Sequence, residues 1–464
     1  MTLRPVIVGA GPAGVRAAQT LVAHGLRPVV VDEAPRAGGQ IYRRPPERLA
    51  ARSARTLYGF ESQRAEALHA AFDGLAGRID HRPDSLVWNA QDRCLDVMHN
   101  PTQSNRRVPY THLLVATGAT DRVLPLPGWT LPGVYTLGGA QVALKFQGCA
   151  IGRRVVFMGT GPLLYLVACQ YAKAGVDVAA VLDTARLADQ AAAVPALLSQ
   201  PAVFAKGLYY VAWLRAHGVP VHRGVRPLRV TGDEGESRVA GVAWHDGHAE
   251  RSIECDAVGL GHALRSETQL ADLLGCRFAF APLQRAHLPV RDAAGRASVE
   301  GVYLAGDGAG IMGADAAEWA GERAALALLA DSGIAVDGAR AAALERRLAR
   351  LAVFRKGLER AFPLPPDWAA QADDALVICR CENVTAGDLR EAVAGCGADE
   401  LNRLKALSRV GMGRCQGRMC GAAAAEILAH ATAQPLAQVG RLRGQAPIKP
   451  IPIRLAQAGE GGGA

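Results

Sequence analysis

Residues 4–40, RPVIVGAGPAGVRAAQTLVAHGLRPVVVDEAPRAGGQ, constrain the fold of this chain more than any other stretch. An apolar run from Pro5 to Val8 reads as a strand. The turn Gly9-Ala10-Gly11-Pro12-Ala13-Gly14 follows, then a helical stretch from Val15 to His24 that Gly25 ends. A second apolar strand, Pro28 to Val31, runs into Asp32-Glu33. Gly9 permits the tight turn out of the strand, Gly11 lets the backbone approach a pyrophosphate, and Gly14 lets helix and strand pack closely. The helix N-terminus, with Pro12 and Ala13, turns unpaired N–H groups toward the phosphates. Asp32, 18 residues beyond Gly14, stands where a carboxylate accepts hydrogen bonds from a ribose. Glu33 reads as a solvated carboxylate or a neighbour of that contact. Gly38, Gly39 and Gln40 close the unit and let the backbone pass near a bound nucleotide. A glycine turn in some other α/β unit is the bland alternative, but strand, helix, strand and acid in order favour nucleotide binding.

With 464 residues, half of them apolar, the chain has room for two to four domains with sizeable cores. The net charge of +9 is spread without a dense Lys/Arg block, which fits phosphate or subunit contacts and argues against nucleic acid. No apolar run reaches membrane-spanning length. A core strand starting at Pro5 leaves no signal peptide to expect. Ten cysteines then point to a reducing, cytoplasmic setting, where thiols serve metals or cores.

Residues 42–66 are polar and Arg-rich, expected as a surface excursion or a cofactor-covering loop. Residues 79–115 alternate apolar and polar around turns and read as a small antiparallel sheet, in which His81, Cys94 and His99 lack metal spacing. A buried strand then ends in Thr117-Gly118, and the proline-rich stretch 124–134 leads out of the first domain. A second strand–turn–helix starts at Arg154, with Gly159 and Gly161 in the first two glycine places, Leu164 in the third and Asp183 as the acid. The fold there is Rossmann-like, while the fingerprint is degraded. NAD(P) binding and a vestigial pocket filled by side chains, another nucleotide or a partner both stand open. Cys169 is assigned to the core. Residues 186–218 are expected to be helical and mobile, with Phe204, Tyr209, Tyr210 and Trp213 packing a core rather than stacking on a cofactor. His262 and Arg265 follow another strand-to-glycine turn and are weak candidates to face a cofactor. Residues 301–307 form a strand ending in Gly306-Asp307, followed by a helix from Ala316 to Leu329; Asp307 is either a helix cap or a cofactor contact. A linker helix over 337–362 shows one leucine stripe, and Pro363, Pro365 and Pro366 end it.

The cysteines near the C-terminus carry the second chemical signal. Cys379 and Cys381, then Cys415 and Cys420, give C-x-C, 33 residues, C-x4-C. Four thiolates suit zinc or a [2Fe–2S] cluster. Structural zinc more often uses C-x2-C knuckles, and Gly411, Gly413, Gly417 and Gly421 leave backbone N–H groups free for sulfides, which favours the cluster over zinc or free thiols. Cys396 is assigned a structural role, and Cys149, Cys255 and Cys276 have no partner by spacing. Residues 446–453 form an apolar proline-rich arm that packs on this chain or on another subunit, and Gly461 to Ala464 are expected to fray.

Thr117-Gly118 and Gly306-Asp307 resemble the motifs of two-dinucleotide-binding-domain flavoproteins, where the first lies beside the flavin nucleotide and the Asp bonds the ribityl chain of FAD. The whole chain resembles the α-type subunit of the heteromeric D-hydroxyproline dehydrogenase, opine oxidase and hydrogen cyanide synthase family. The resemblance rests on residues 3–9, Gly38 to Arg43, Tyr110 to Gly118, Pro127 to Val134 and Gly159 to Leu164. The C-terminal module is similar to bacterioferritin-associated ferredoxin-like [2Fe–2S] domains, with Cys379, Cys381, Cys415 and Cys420 at the ligand positions.

The implied architecture is α/β, glutathione-reductase-like, with two Rossmann-like domains and a small α-rich [2Fe–2S] domain. Residues 1–118 and 290–335 would bind FAD, 119–289 would form the second nucleotide domain, 336–372 the linker helix, 373–432 the cluster domain and 433–464 the tail. The implied function is electron transfer in a hetero-oligomer. A β-type flavoprotein subunit, in some relatives with a small γ subunit, oxidises the C–N bond, and this chain passes electrons on. Relatives hold FMN at a subunit interface, or ATP in place of one dinucleotide; peripheral membrane coupling is compatible with the sequence. No acid–base constellation singles out a catalytic residue. A stand-alone NAD(P)H-dependent flavin reductase and a non-enzymatic iron–sulfur or metal-transfer protein are the competing readings.

Overall fold

The computed structural model describes residues 3–46, 53–235 and 237–453. Two parallel five-stranded sheets organise it. The first runs, from edge to edge, Val302–Leu304, His112–Val115, Pro5–Val8, Val29–Val31 and Asp80–Arg82. The second runs Val221–Arg223, Asp177–Asp183, Arg154–Thr160, Ala257–His262 and Val134–Thr136. Both are near-continuous apolar strands, as sheets covered on two faces require. Each sheet carries a three-stranded antiparallel companion, 85–109 on the first and 226–254 on the second. The small sheet expected over 79–115 therefore spans only 85–109, because residues 80–82 and 112–115 join the parallel sheet instead.

The glycine-turn helix is Pro12–Ala23, three residues earlier than its apolar pattern indicates, because Pro12 opens it at the first helical position. The helix after Gly306-Asp307 is Ala314–Asp331, and it packs along Pro12–Ala23. Gly321 makes that contact possible: a Cβ there would lie 2.0 Å from the Ala13 carbonyl oxygen. The linker helix is Gly338–Ala361, N-capped by Asp337, and it buries Leu344 and Leu351 against Ala314–Asp331 and against the helix Leu187–Leu197.

The described part of the Arg-rich stretch 42–66 runs largely over the surface, as expected, with a few apolar anchors. Tyr42 is fully buried, and Leu57 and Tyr58 join the same core through the helices Ala54–Tyr58 and Ser62–Asp73. Apolar residues spaced among the arginines anchor it. Residues 186–218 form two helices, Leu187–Leu197 and Pro201–Ala216. Phe204, Tyr210 and Trp213 pack on cores, whereas Tyr209 stays 39% exposed and so is not a core residue.

The cysteine module is a short hairpin, Val377–Cys379 with Val384–Thr385, and three helices, Ala386–Cys396, Leu401–Ser408 and Gly421–Ala431. It shares one apolar cluster with the second parallel sheet, joining Val156, Met158 and Leu260 to Ile378, Leu404 and Ile427. Two indole N–H groups stitch the seam: Trp129 donates to the Val377 carbonyl at 2.7 Å and Trp368 to the Pro125 carbonyl at 2.8 Å. The arm packs on its own chain: Ile448 is buried against the first sheet, its N–H donates to the Trp88 carbonyl, and Lys449 pairs with Glu33 at 2.5 Å. Gly461 to Ala464 lie outside the described residues. Among those described, no helix is long and apolar enough to cross a membrane.

Candidate functional site: a nucleotide cradle joined to a four-thiol module

The first cradle forms where four loops meet at the C-terminal ends of the first sheet. Gly9 has φ +106°, and a Cβ there would lie 2.3 Å from the Ala116 carbonyl oxygen. A Cβ on Gly14 would lie 1.7 Å from the Gly9 oxygen, so the helix sits directly on the turn. Gly39, at φ +63°, crosses over Gly11 so closely that a Cβ would meet the Gly11 Cα at 2.9 Å. From the other side Gly306 abuts Ala13, with its hypothetical Cβ 3.0 Å from the Ala13 Cβ. Bare backbone therefore surrounds the helix N-terminus at Pro12, and the residues fit a dinucleotide pyrophosphate.

Asp32 is nearly enclosed. Its carboxylate accepts from the Ala10 N–H and, at 2.7 Å, from the Ala34 N–H, and burial pushes its pKa up against those two bonds. It braces the glycine turn as well as standing at the ribose position. Glu33 is exposed beside Asp32, as expected, and it also receives the arm's Lys449. Gln40 is exposed and receives Arg43 at 2.9 Å. Asp307 Oδ1 accepts from the Met312 and Gly313 N–H groups at 2.8 and 2.9 Å, just before the helix begins, so it shapes the loop beside Ala13. Thr117 donates its hydroxyl to the Glu267 carbonyl at 2.7 Å, and Gly118 accepts from the Glu267 N–H at 2.9 Å.

The second glycine turn is built differently. Gly159 and Gly161 keep positive φ, and a Cβ on Gly159 would lie 1.7 Å from the Gly261 oxygen. Leu164 is fully buried in the core. Asp183 is buried and already occupied: it accepts from the Tyr165 hydroxyl at 2.5 Å, the Ala185 N–H at 2.9 Å and Gln190 at 3.3 Å. The carboxylate at the ribose position of this domain is spent inside the protein.

The four predicted thiols touch in a chain. Cys420, buried, donates to Cys379 and to Cys415, and Cys415 contacts Cys381. Those contacts, then backbone N–H groups of the glycine-rich turns, pull Cys379 down to about 6 and Cys415 to about 5, while Cys420 rises as the donor. Low-pKa thiols are the ligating form. Among the described residues no three His, Cys, Asp or Glu side chains are grouped to seat a single ion. All four thiols converge in one place, as the four thiolates of a [2Fe–2S] cluster would require. Gly413 leaves no room for a side chain, since a Cβ would lie 2.3 Å from the Cys381 Cβ. Cys396 is exposed at a helix end, so the structural role assigned to it is not supported, whereas Cys169 is core as expected.

Of the other participating residues the sequence offers only Arg265, as a candidate to face a cofactor. Arg265 donates to the carbonyls of Gly417 and Arg418 at 3.1 and 2.9 Å, and Gln269 donates to the Gln416 carbonyl at 2.6 Å. Glu267 pairs with Arg418 at 2.6 Å. Leu442 lies over the turn, because Cβ atoms on Gly411, Gly417 and Gly421 would meet its Cδ1 at 2.8, 2.5 and 3.1 Å. Arg265 lies on the strand Leu264–Ser266 and Gln269 opens the helix Gln269–Leu273, with Glu267 between them.

A nucleotide cradle and a four-thiol module on a double Rossmann body define the class: an oxidoreductase with an added [2Fe–2S]-type module. The pyridine nucleotide-disulphide oxidoreductase family matches residues 3–321, and a BFD-like [2Fe-2S] binding domain matches residues 377–430. The chain is 38% identical to an opine oxidase subunit of Agrobacterium tumefaciens (strain Ach5), over 97% of this chain and 90% of that one. It is equally 38% identical to the HcnB subunit of hydrogen cyanide synthase from Pseudomonas aeruginosa, over 98% of this chain and 99% of that one. Among solved structures, L-proline dehydrogenase from P. horikoshii shares the fold with a TM-score of 0.72 at 18% identity, over 98% of this chain and 79% of that one. The chain belongs to the pyridine nucleotide-disulphide oxidoreductase family, in the group that holds these opine oxidase and hydrogen cyanide synthase subunits.

Proposed function

We propose that this chain is the α-type, electron-transferring subunit of a heteromeric flavin-dependent dehydrogenase or oxidase acting on an amino or imino acid of the D-hydroxyproline, opine or glycine type. A β-type flavoprotein partner oxidises the CH–NH or CH–NH2 donor. In this chain FAD would lie on Gly9, Gly11, Pro12, Ala13, Gly14, Asp32, Gly39, Thr117, Gly118, Gly306 and Asp307, and a [2Fe–2S] cluster on Cys379, Cys381, Cys415 and Cys420. When bound, the flavin exchanges electrons in pairs or singly and the cluster singly. The protein's part is to hold both in fixed relation, with FMN at the partner interface as the bridge to the β subunit.

The observation that supports this most is the segment 264–269, which bonds Thr117-Gly118 on one side and the Cys415–Cys420 turn on the other. The occupied Asp183 weighs against NAD(P) entering at Gly159 and Gly161, and leaves ATP or side chains to fill that domain. The test is co-expression with the product of the neighbouring gene, cofactor analysis of the complex, then dye reduction with hydroxy-D-proline, glycine and opines. Dye reduction by one of these, only with both subunits present, is expected. Rapid bleaching of the flavin by NADH in the isolated chain would replace this reading with a self-sufficient flavin reductase.

A further inference from the structure

The strand Leu264–Ser266 pairs antiparallel with Ala119–Asp121, and its end is anchored to the cradle three times over. Thr117 donates to the Glu267 carbonyl, Glu267 N–H donates to Gly118, and Ser266 accepts from the Gly310 N–H at 3.1 Å. The opposite face of the same segment grips the cysteine turn. Gln269 holds the Gln416 carbonyl, and Arg265 holds those of Gly417 and Arg418. The Glu267 carboxylate receives the Arg418 guanidinium at 2.6 and 3.2 Å. That pair is sealed from water, with side chains only 10% and 12% exposed. Arg418 also donates to the Cys415 carbonyl at 3.3 Å and to the Ile448 carbonyl at 2.8 Å, so the arm closes over it. Every carbonyl in the turn from Cys415 to Arg418 is thus held by a side chain, and Glu267 is common to both cofactor sites.

We propose that Arg265, Glu267 and Gln269 are positioning residues that lock the cysteine turn to the nucleotide cradle, and that the Glu267–Arg418 pair sets how fast an electron crosses between them. The inference rests on the electron-transfer function proposed above. Each crossing oxidises the reduced flavin by one electron and converts one ferric ion of the cluster to ferrous. No bond in the clamp is made or broken. Its contribution is a short, dry, rigid route from the Thr117 hydroxyl through Glu267 and Arg418 to the Cys415 backbone, where a small misplacement costs much of the rate.

The test uses the anaerobic full-length holoprotein. The flavin is photoreduced by a flash, and cluster reduction is followed by visible circular dichroism. Glu267→Gln is expected to keep wild-type flavin, iron and sulfide content and the resting cluster spectrum, while slowing the crossing about tenfold or more. Arg418→Lys, which keeps the charge and loses the fork, should fall between. An unchanged rate at full cofactor occupancy overturns the proposal. Where a single variant sheds the cluster because a sealed charge is left alone, the double variant Glu267→Gln/Arg418→Gln removes both charges and is read in the same way. Hydrogen exchange of the unmodified protein gives an independent reading: stripping the flavin should speed amide exchange in residues 415–420, and unchanged exchange overturns the clamp. A wild-type protein with no flavin or no iron would defeat the functional reading itself, whereas fast crossing that ignores all these variants defeats the clamp alone.

Discussion

At the scale of single residues, the arm is as informative as the cysteines. Asp272, only 3% exposed in its side chain, receives Arg441 at 2.7 Å and Arg443 at 3.0 Å on one oxygen, and the Gly444 N–H on the other at 2.5 Å. Asn402 holds the same strand, donating to the Arg441 carbonyl at 2.9 Å and accepting from the Arg443 N–H at 2.8 Å. Between these pins Leu442 lies over the backbones of Gly411, Gly417 and Gly421 in the cysteine turns. Leu442→Ala is expected to leave the cluster in place and to raise the rate of iron release to a chelator about tenfold, as loss of outer-shell support commonly does; an unchanged rate would remove Leu442 from that role. The strap also has a pH dependence. Burial raises the Asp272 pKa, but Arg441, the Gly444 N–H and Arg443 outweigh it and hold the carboxyl below its usual range. Its stabilisation is therefore present above the unfolded carboxyl value and is lost as pH falls through the lower folded value. Amide protection at residues 440–444 of the cluster-free protein, taken relative to intrinsic exchange rates, should fall below about pH 4. Asp272→Asn should be exchange-prone at neutral pH and flat across that window.

At the scale of elements, the cradle depends on two helices touching without side chains between them. Gly321 sits on the Ala13 carbonyl, and Gly14 on the Gly9 carbonyl. Gly321→Ala should destabilise the chain by about 3 kcal/mol, because a Cβ 2.0 Å from backbone forces Pro12–Ala23 and Ala314–Asp331 apart. A fall in the urea midpoint with early loss of FAD would show it; an unaltered midpoint would mean that the helices separate freely. Such contacts explain what could be read in advance. Gly9, Gly11, Gly14, Gly159 and Gly161 announce themselves because the turn is local and only glycine fits it. The strands and the cysteine spacing are local too. Arg265, Glu267 and Gln269 grip partners some 150 residues away, and Lys449 meets Glu33 across 416 residues. No periodicity or spacing encodes pairs so far apart. In the stretch after Tyr42 the arginines dominate the composition and mark its surface course, while Tyr42, Leu57 and Tyr58 fix its place.

At the scale of the whole molecule, the cysteine module is part of the body rather than a bead on a linker. Its apolar residues complete the cluster under the second sheet, Trp129 and Trp368 cross the seam in opposite directions, and the arm returns from the module to the first sheet. The second domain thereby gains a structural task even with Asp183 occupied: it is the platform that carries the thiols to the cradle. Anaerobic purification followed by flavin, iron and sulfide analysis tests the central claim most directly. The account predicts about one FAD, two irons and two sulfides per chain, with the iron and sulfide lost and the flavin retained in Cys415→Ser. A yellow protein without iron and sulfide, or one holding a single zinc on these four thiols, would contradict it.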